Sequence, residues 1–193
     1  LSLVLALSAL VVREVRAALW AALLPLAVLA AWLVASDARA GHLPPTYDTP
    51  LLYLHTLVGK IYLGLLLVAV ALGAMPWLRR TRAGAALARD VPAERFDQLA
   101  HRFAGFAFVF DALMLIVGAV WAQDAWGRYW AWDALESWAF ASWIALALVL
   151  HARATLRPGP AAFGAMLAGV FVLAFLTFFG VPFISLAPHK GAV

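Results

Sequence analysis

The sequence predicts an all-α, polytopic integral membrane protein, and three observations carry that prediction. Of its 193 residues, 66% are apolar and only 12% are charged, against roughly 45–50% and about 25% in a soluble domain, so the chain cannot clothe a water-facing surface. The apolar residues fall into five runs that reach the roughly 20 residues needed to cross a hydrocarbon core. The cations concentrate on alternate connections between those runs, as they do in helical membrane bundles. At about 100–200 residues per domain, residues 1–193 form a single membrane domain.

Residues 1–12 are apolar but too short to span, and since the chain opens with Leu1 they read as part of a longer helix. A secretory signal carries its positive charges before the apolar stretch, whereas Arg13 and Arg16 follow it here. The full spans are residues 17–35, 51–74, 103–122, 138–156 and 161–180. Their connections sort the charge. Arg13 and Arg16, then Arg79, Arg80, Arg82, Arg89, Arg95 and Arg102, then Arg153 and Arg157 put ten cations on one side. Arg39, Arg128 and Lys190 are the three on the other, and Lys60 stays inside a span. This asymmetry assigns the first side to the cytoplasm and the second to the periplasmic face of a bacterial inner membrane. The sequence pI of about 10.0 then reflects cytoplasmic anchoring and calls for no nucleic-acid partner. The absence of cysteine excludes disulfides, an iron–sulfur cluster and a thiolate zinc site.

The same topology sorts the histidines. His42, His55 and His189 belong to the outer side, and His101 and His151 to the inner. Between the outer histidines lies a Trp-rich loop, residues 123–137, with the run Trp126-Gly127-Arg128-Tyr129-Trp130-Ala131-Trp132-Asp133-Ala134-Leu135-Glu136-Ser137-Trp138 across it. Six of the nine tryptophans, from Trp121 to Trp143, fall within 23 residues. An interfacial aromatic belt accounts for any one of them, but a belt does not call for Arg128, Asp133 and Glu136 in their midst. If the loop is helical, Trp126 and Trp130 share one face and Asp133 and Glu136 another, which makes a short amphipathic helix lying in the outer interface. Such a shelf suits a large, flat, mostly apolar ligand with a polar rim. Haem has those features, and its iron takes axial imidazoles, for which His55 and His189 are the available outer pair.

The tryptophan-rich run resembles the "WWD" signature of the haem-handling proteins of cytochrome c biogenesis. It is most similar to the CcsA/ResC branch of the system II cytochrome c synthase, whose usual form is W-G-x-Y-W-x-W-D-P-K-E-T-W. Ala134 and Leu135 stand in place of Pro-Lys, and Ser137 in place of Thr. Gly118-Ala119-Val120-Trp121 before the run, Leu150-His151-Ala152-Arg153 after it, and the last span ending Phe179-Gly180-Val181 agree with that branch. The resemblance covers approximately residue 51 to the C-terminus.

It implies a protein that binds b-type haem transiently and presents it at the outer surface, where its vinyl groups react with the two thiols of a C-x-x-C-H motif in apocytochrome c. His55 and His189 would ligate that iron, with Trp126, Gly127, Arg128, Trp130, Trp132, Asp133 and Glu136 forming the haem-binding loop. His151 fits the family's inner haem site, whose second ligand comes from a CcsB/ResB-type membrane partner. Such a chain is a haem lyase subunit in which the protein supplies position and axial ligation. A CcmC-type delivery protein, which loads haem onto a chaperone, is the alternative within the resemblance. A cofactor-free transporter or assembly subunit with an aromatic belt is the alternative outside it.

Some readings rest on the residues alone. His151 follows Trp138 by 13 positions, which places it roughly 20 Å below the shelf. Lys60 and Asp111 each fall near the middle of a span, where an ionisable group costs on the order of 2.5–3.5 kcal/mol on insertion scales. They are expected to pair, with a haem-propionate contact from Lys60 as the second reading. Arg128 can hold a propionate, while Asp133 and Glu136 shape the shelf. The lack of a thiol would also keep a protein that presents reactive vinyl groups from modifying itself.

Overall fold

The computed structural model describes residues 1–35 and 47–184, which are helical apart from short connections. The helices are α1 (Ser2–Val11), α2 (Arg13–Ala35), α3 (Pro50–Gly73), α4 (Met75–Leu78), α5 (Arg82–Leu87), α6 (Ala93–Trp126), α7 (Ala134–Thr155), α8 (Pro160–Phe179) and α9 (Val181–Ile184). Five of them, α2, α3, α6, α7 and α8, are long and apolar enough to cross a membrane, and α1 is a shorter apolar helix before them. Their starts follow local chemistry. Pro50 and Pro160 occupy first-turn positions of α3 and α8, where a missing N–H costs nothing, and Thr81 caps α5 by accepting from Gly84 N at 3.0 Å.

Helix α3 is the axis of the bundle. In its membrane window 67% of residues are buried, against 17% for those of α2 and α7, so α3 is surrounded by protein while the others keep broad faces for lipid. Its closest contact is with α8. A Cβ on Gly164 would stand 2.1 Å from Gly73 O, and one on Gly73 would stand 2.9 Å from Gly164 Cα, so the two backbones touch where neither has a side chain. Small residues at a crossing are how membrane helices gain close packing without a hydrophobic driving force.

Successive spans run in opposite directions, which collects the Arg-bearing connections at one end. There Arg95 Nε pairs with Glu14 Oε1 at 2.8 Å, joining α6 to α2, and Arg153 pairs with Asp97, joining α7 to α6. Arg79 donates to Ala88 O and Val91 O at 3.0 and 2.9 Å and lies over the Phe96 ring, closing the connection through α4 and α5. The tryptophan-rich turn between α6 and α7 lies at the opposite end.

Two expectations are corrected. Helix α6 begins ten residues before the predicted span and continues to Trp126, and α7 begins at Ala134, so only residues 127–133 of the tryptophan-rich loop are non-helical. Lys60 and Asp111 do not pair. Asp111 is fully buried with no hydrogen-bond partner at either carboxylate oxygen, within interaction range of the buried Tyr62. Lys60 opens onto a cavity. Lys60 and Tyr62 are two positions apart, about 200° around a helix, so the face of α3 that meets Asp111 is not the face that carries the lysine.

Replacing Gly164 with Ala is expected to force α3 and α8 apart, lowering stability by about 1–3 kcal/mol. Gly169→Ala is the reference, since a Cβ there meets nothing within 4 Å. Thermal unfolding of the detergent-solubilised protein checks the difference.

Candidate functional site

The tryptophan-rich end is built around the imidazole of His55. Its ring lies parallel to Trp121, with 6.1 Å between centroids and 10° between planes, and its Nδ1 is 3.0 Å from Met114 O on α6. A carbonyl can only accept, so Nδ1 carries the proton, and in the neutral ring Nε2 then carries the lone pair, as a metal-ligating or proton-accepting nitrogen requires. The approach depends on Gly118. A Cβ there would sit 2.7 Å from His55 Cε1 and 2.8 Å from Nδ1, inside van der Waals contact. Met114 and Gly118 are four apart, one turn of α6, so the carbonyl and the gap that admits the ring belong to the same face.

The turn from α6 to α7 is held by its acids. Gly127 ends α6 at φ 79 with its N–H on Gln123 O at 2.9 Å, a left-handed cap that glycine adopts without strain. Trp132 also takes a positive φ, 56, a conformation that costs a bulky residue energy and needs support from its surroundings. Asp133 caps α7 by accepting from Glu136 N at 2.9 Å, and Glu136 reaches back so that Oε2 accepts from Ala131 N at 2.7 Å. This is a capping-box arrangement in which the returning bond lands inside the turn, two residues before the cap. The other oxygen of the buried Glu136, Oε1, has no partner on a residue that lines the cavity.

That cavity, of about 350 Å³, lies between α3, α6, α7, α8 and α9, within the size range of small-molecule sites. His55, Thr56 and Lys60 line it from α3, Gly118 and Trp121 from α6, and Trp130 and Glu136 from the turn and α7. Its walls are mostly apolar. Lys60 and Glu136 are opposite in charge and lie at different depths, the lysine five residues along α3 from His55 and the glutamate beside the turn. A second, wholly apolar groove of about 520 Å³ follows the outside of α6 and α7, lined by Trp130, Trp132, Phe140 and Trp143.

The predicted amphipathic shelf is replaced by two aromatic clusters. Trp126 ends a helix that Trp130 lies beyond, so the two do not share a helical face. Trp121 and Trp126 pack edge to face at 5.0 Å, both against Tyr47, and Trp121 Nε1 donates to Tyr47 O at 3.2 Å. Trp130 and Trp132 pack against Phe140, which stacks on Trp143, which stacks on Phe108 at 5.2 Å. Arg128 is exposed. His151 lies exposed on α7 near the Arg-rich end, and His42 and His189 are outside the described residues. No group of three or more His, Cys, Asp or Glu that could hold a metal ion occurs among the described residues.

The Met114 carbonyl and the gap that Gly118 leaves for the imidazole escaped the sequence reading. A glycine one helical turn from a methionine has no signature until its neighbour is known. The D-x-x-E spacing ahead of an apolar run, in contrast, is a cap signal legible in the sequence.

Five apolar spans, one of them buried among the others, with an oriented imidazole on the wall of a cavity at one end, define a polytopic helical membrane protein. The chain belongs to the cytochrome c assembly protein family, whose model matches residues 1–189, so the likeness extends through α1 and α2 as well. It is similar to the cytochrome c biogenesis protein CcsA of Gloeobacter violaceus, with 43% identity over 109 residues, 56% of this chain and 32% of that protein. The CcsA proteins of Guillardia theta and Calycanthus floridus var. glaucus are 40% and 36% identical over 98 and 100 residues, half of this chain and 32% and 30% of theirs. The matched segment thus spans about a third of the length of these relatives.

Loss of the Asp133 cap should destabilise the α6–α7 turn. Asp133→Ala is expected to lower stability by about 0.5–2 kcal/mol and Asp133→Ser to recover most of it, read from thermal unfolding in detergent.

Proposed function

We propose that this chain serves cytochrome c biogenesis by holding haem at its tryptophan-rich end, on the periplasmic side, for covalent attachment to apocytochrome c. The supporting observation is the His55–Met114 contact. It assigns the lone pair to Nε2 on a residue of the cavity wall, the state in which imidazole binds iron. His189 is the proposed second axial ligand. Trp130, on the cavity rim, offers a ring face and an Nε1–H without a partner, and Trp121 backs the ligating imidazole. Asp133 and Glu136 act by holding the turn in shape, and Arg128 is exposed where the incoming peptide can meet it.

Haem is the substrate, and its vinyl groups carry the reactivity. Each thiol of the C-x-x-C-H motif adds across a vinyl C=C, the sulfur bonding to one carbon and the proton ending on the other, so no atom is lost. The protein positions the two partners and limits water, which is where most of the gain for such a bimolecular step lies. His151, exposed on α7, is proposed for the inner haem site shared with a CcsB/ResB-type partner, since an outward imidazole is open to a ligand from another chain.

The absorption spectrum of protein purified from haem-supplied cells tests this reading. A Soret band is expected, lost or much weakened in His55→Ala, and retained in His101→Ala at the opposite end. Gly118→Ala should weaken haem binding by about 10–100-fold, the usual effect of disturbing a group that orients a metal ligand. Absence of the band from wild-type protein would sink the proposal. Co-expression with apocytochrome c and the partner, followed by a denaturing-gel haem stain, separates attachment from delivery alone: covalent haem is expected.

A further inference from the structure

We infer that Lys60 binds a propionate of the haem held by His55, so that the propionate edge points along α3 toward Lys60 and the vinyl edge toward the tryptophan-rich turn. This rests on the haem reading above and adds the orientation of the substrate.

The lysine has no other assigned task. It lies within a span of mean hydropathy 2.2, where an ammonium group is tolerated only if it finds a partner or a polar cavity. Asp111, the acid at similar depth, meets a different face of α3. The ion pairs of the described residues that involve lysine or arginine join Arg95 to Glu14 and Arg153 to Asp97, and Lys60 makes neither. Its side chain lines the same cavity as His55.

Lys60 is the one lysine or arginine among the described residues that line the cavity. Thr56 Oγ1 donates to Tyr53 O at 3.1 Å and Thr177 Oγ1 to Leu173 O at 2.9 Å, so both hydroxyl protons are committed to their own helices. The carboxylate of the buried Glu136, one oxygen already bonded to Ala131 N, repels a second carboxylate. A dianionic ligand therefore finds attraction at the Lys60 end of the cavity and repulsion at the Glu136 end.

Geometry agrees with that polarity. Lys60 is five residues beyond His55, about 7.5 Å along and about 140° around the helix, and its flexible stem lets it reach the cavity that both residues line. A porphyrin with its iron at His55 thus has its rim within range of the ammonium. In haem the two vinyl groups lie on the part of the ring remote from the two propionates. Anchoring the propionate edge at Lys60 turns the vinyls toward Tyr129 and Trp130, the side from which a peptide thiol must come.

Equilibrium titration of the purified, haem-depleted full chain with haem and with iron protoporphyrin dimethyl ester, followed by the Soret band, tests the orientation. The ester keeps the ring, the iron and the vinyls but has no carboxylate. Wild-type protein should prefer haem over the ester by about tenfold or more, the scale of one charge-assisted hydrogen bond. Lys60→Met should lower haem affinity by a similar factor and leave the ester unchanged, and Lys60→Arg should keep the preference. Unchanged ester binding also shows that the Met variant is folded. Equal loss of both ligands in Lys60→Met, or no loss of either, would overturn the inference while leaving the haem reading intact. Failure of wild-type protein to bind either porphyrin would remove both.

Discussion

The tryptophan-rich end depends on how closely the imidazole of His55 approaches the backbone of α6. Because Gly118 carries no side chain, the ring lies against the helix and donates to Met114 O at 3.0 Å. That one bond sets the tautomer, and the Trp121 face sets the plane. The cavity, the turn and the two aromatic clusters are arranged around an imidazole that is already oriented. Orientation in advance of binding is worth more in a membrane than in water, since a histidine left free to rotate would expose unpaired nitrogens to hydrocarbon.

The bundle supports this arrangement by burying α3. A helix enclosed by α1, α2, α6 and α8 loses its freedom to tilt or rotate, and the backbone contact between Gly73 and Gly164 holds its far end. Histidine and lysine on α3 therefore keep a constant spacing along one cavity wall. The Arg-rich end has a different character. Its ion pairs, Arg95 with Glu14 and Arg153 with Asp97, tie three helices together, and its cations suit a surface of anionic lipid.

Asp111 and Lys60 illustrate two solutions to one cost. The aspartate is enclosed beside the hydroxyl of Tyr62, while the lysine faces a cavity. Both lie in the middle of the spans, and arithmetic along the chain puts them at similar depth. What separates them is rotation about the helix axes, which depth does not reveal. The same holds for the tryptophans: a cluster in sequence divides into Trp121, buried beside His55, with the half-buried Trp126 packed on it, and an outer ladder along α6 and α7, because Gly127 and Trp132 reverse the chain between them.

The sequence by itself determined the number of spans, the alternation of charge, the tryptophan-rich run between two of the spans, and His55 on the same side as that run. Those features follow from hydropathy, composition and short-range spacing, which act within one helix or one connection. Only the tertiary structure decided which residues meet. The Gly118 gap that admits the imidazole, the carbonyl that sets its tautomer and the turning of Lys60 away from Asp111 depend on the rotation and separation of α3 and α6. Those quantities come from how side chains interlock between helices 59 residues apart in the chain at the His55–Met114 contact, and no pattern local to either helix encodes them.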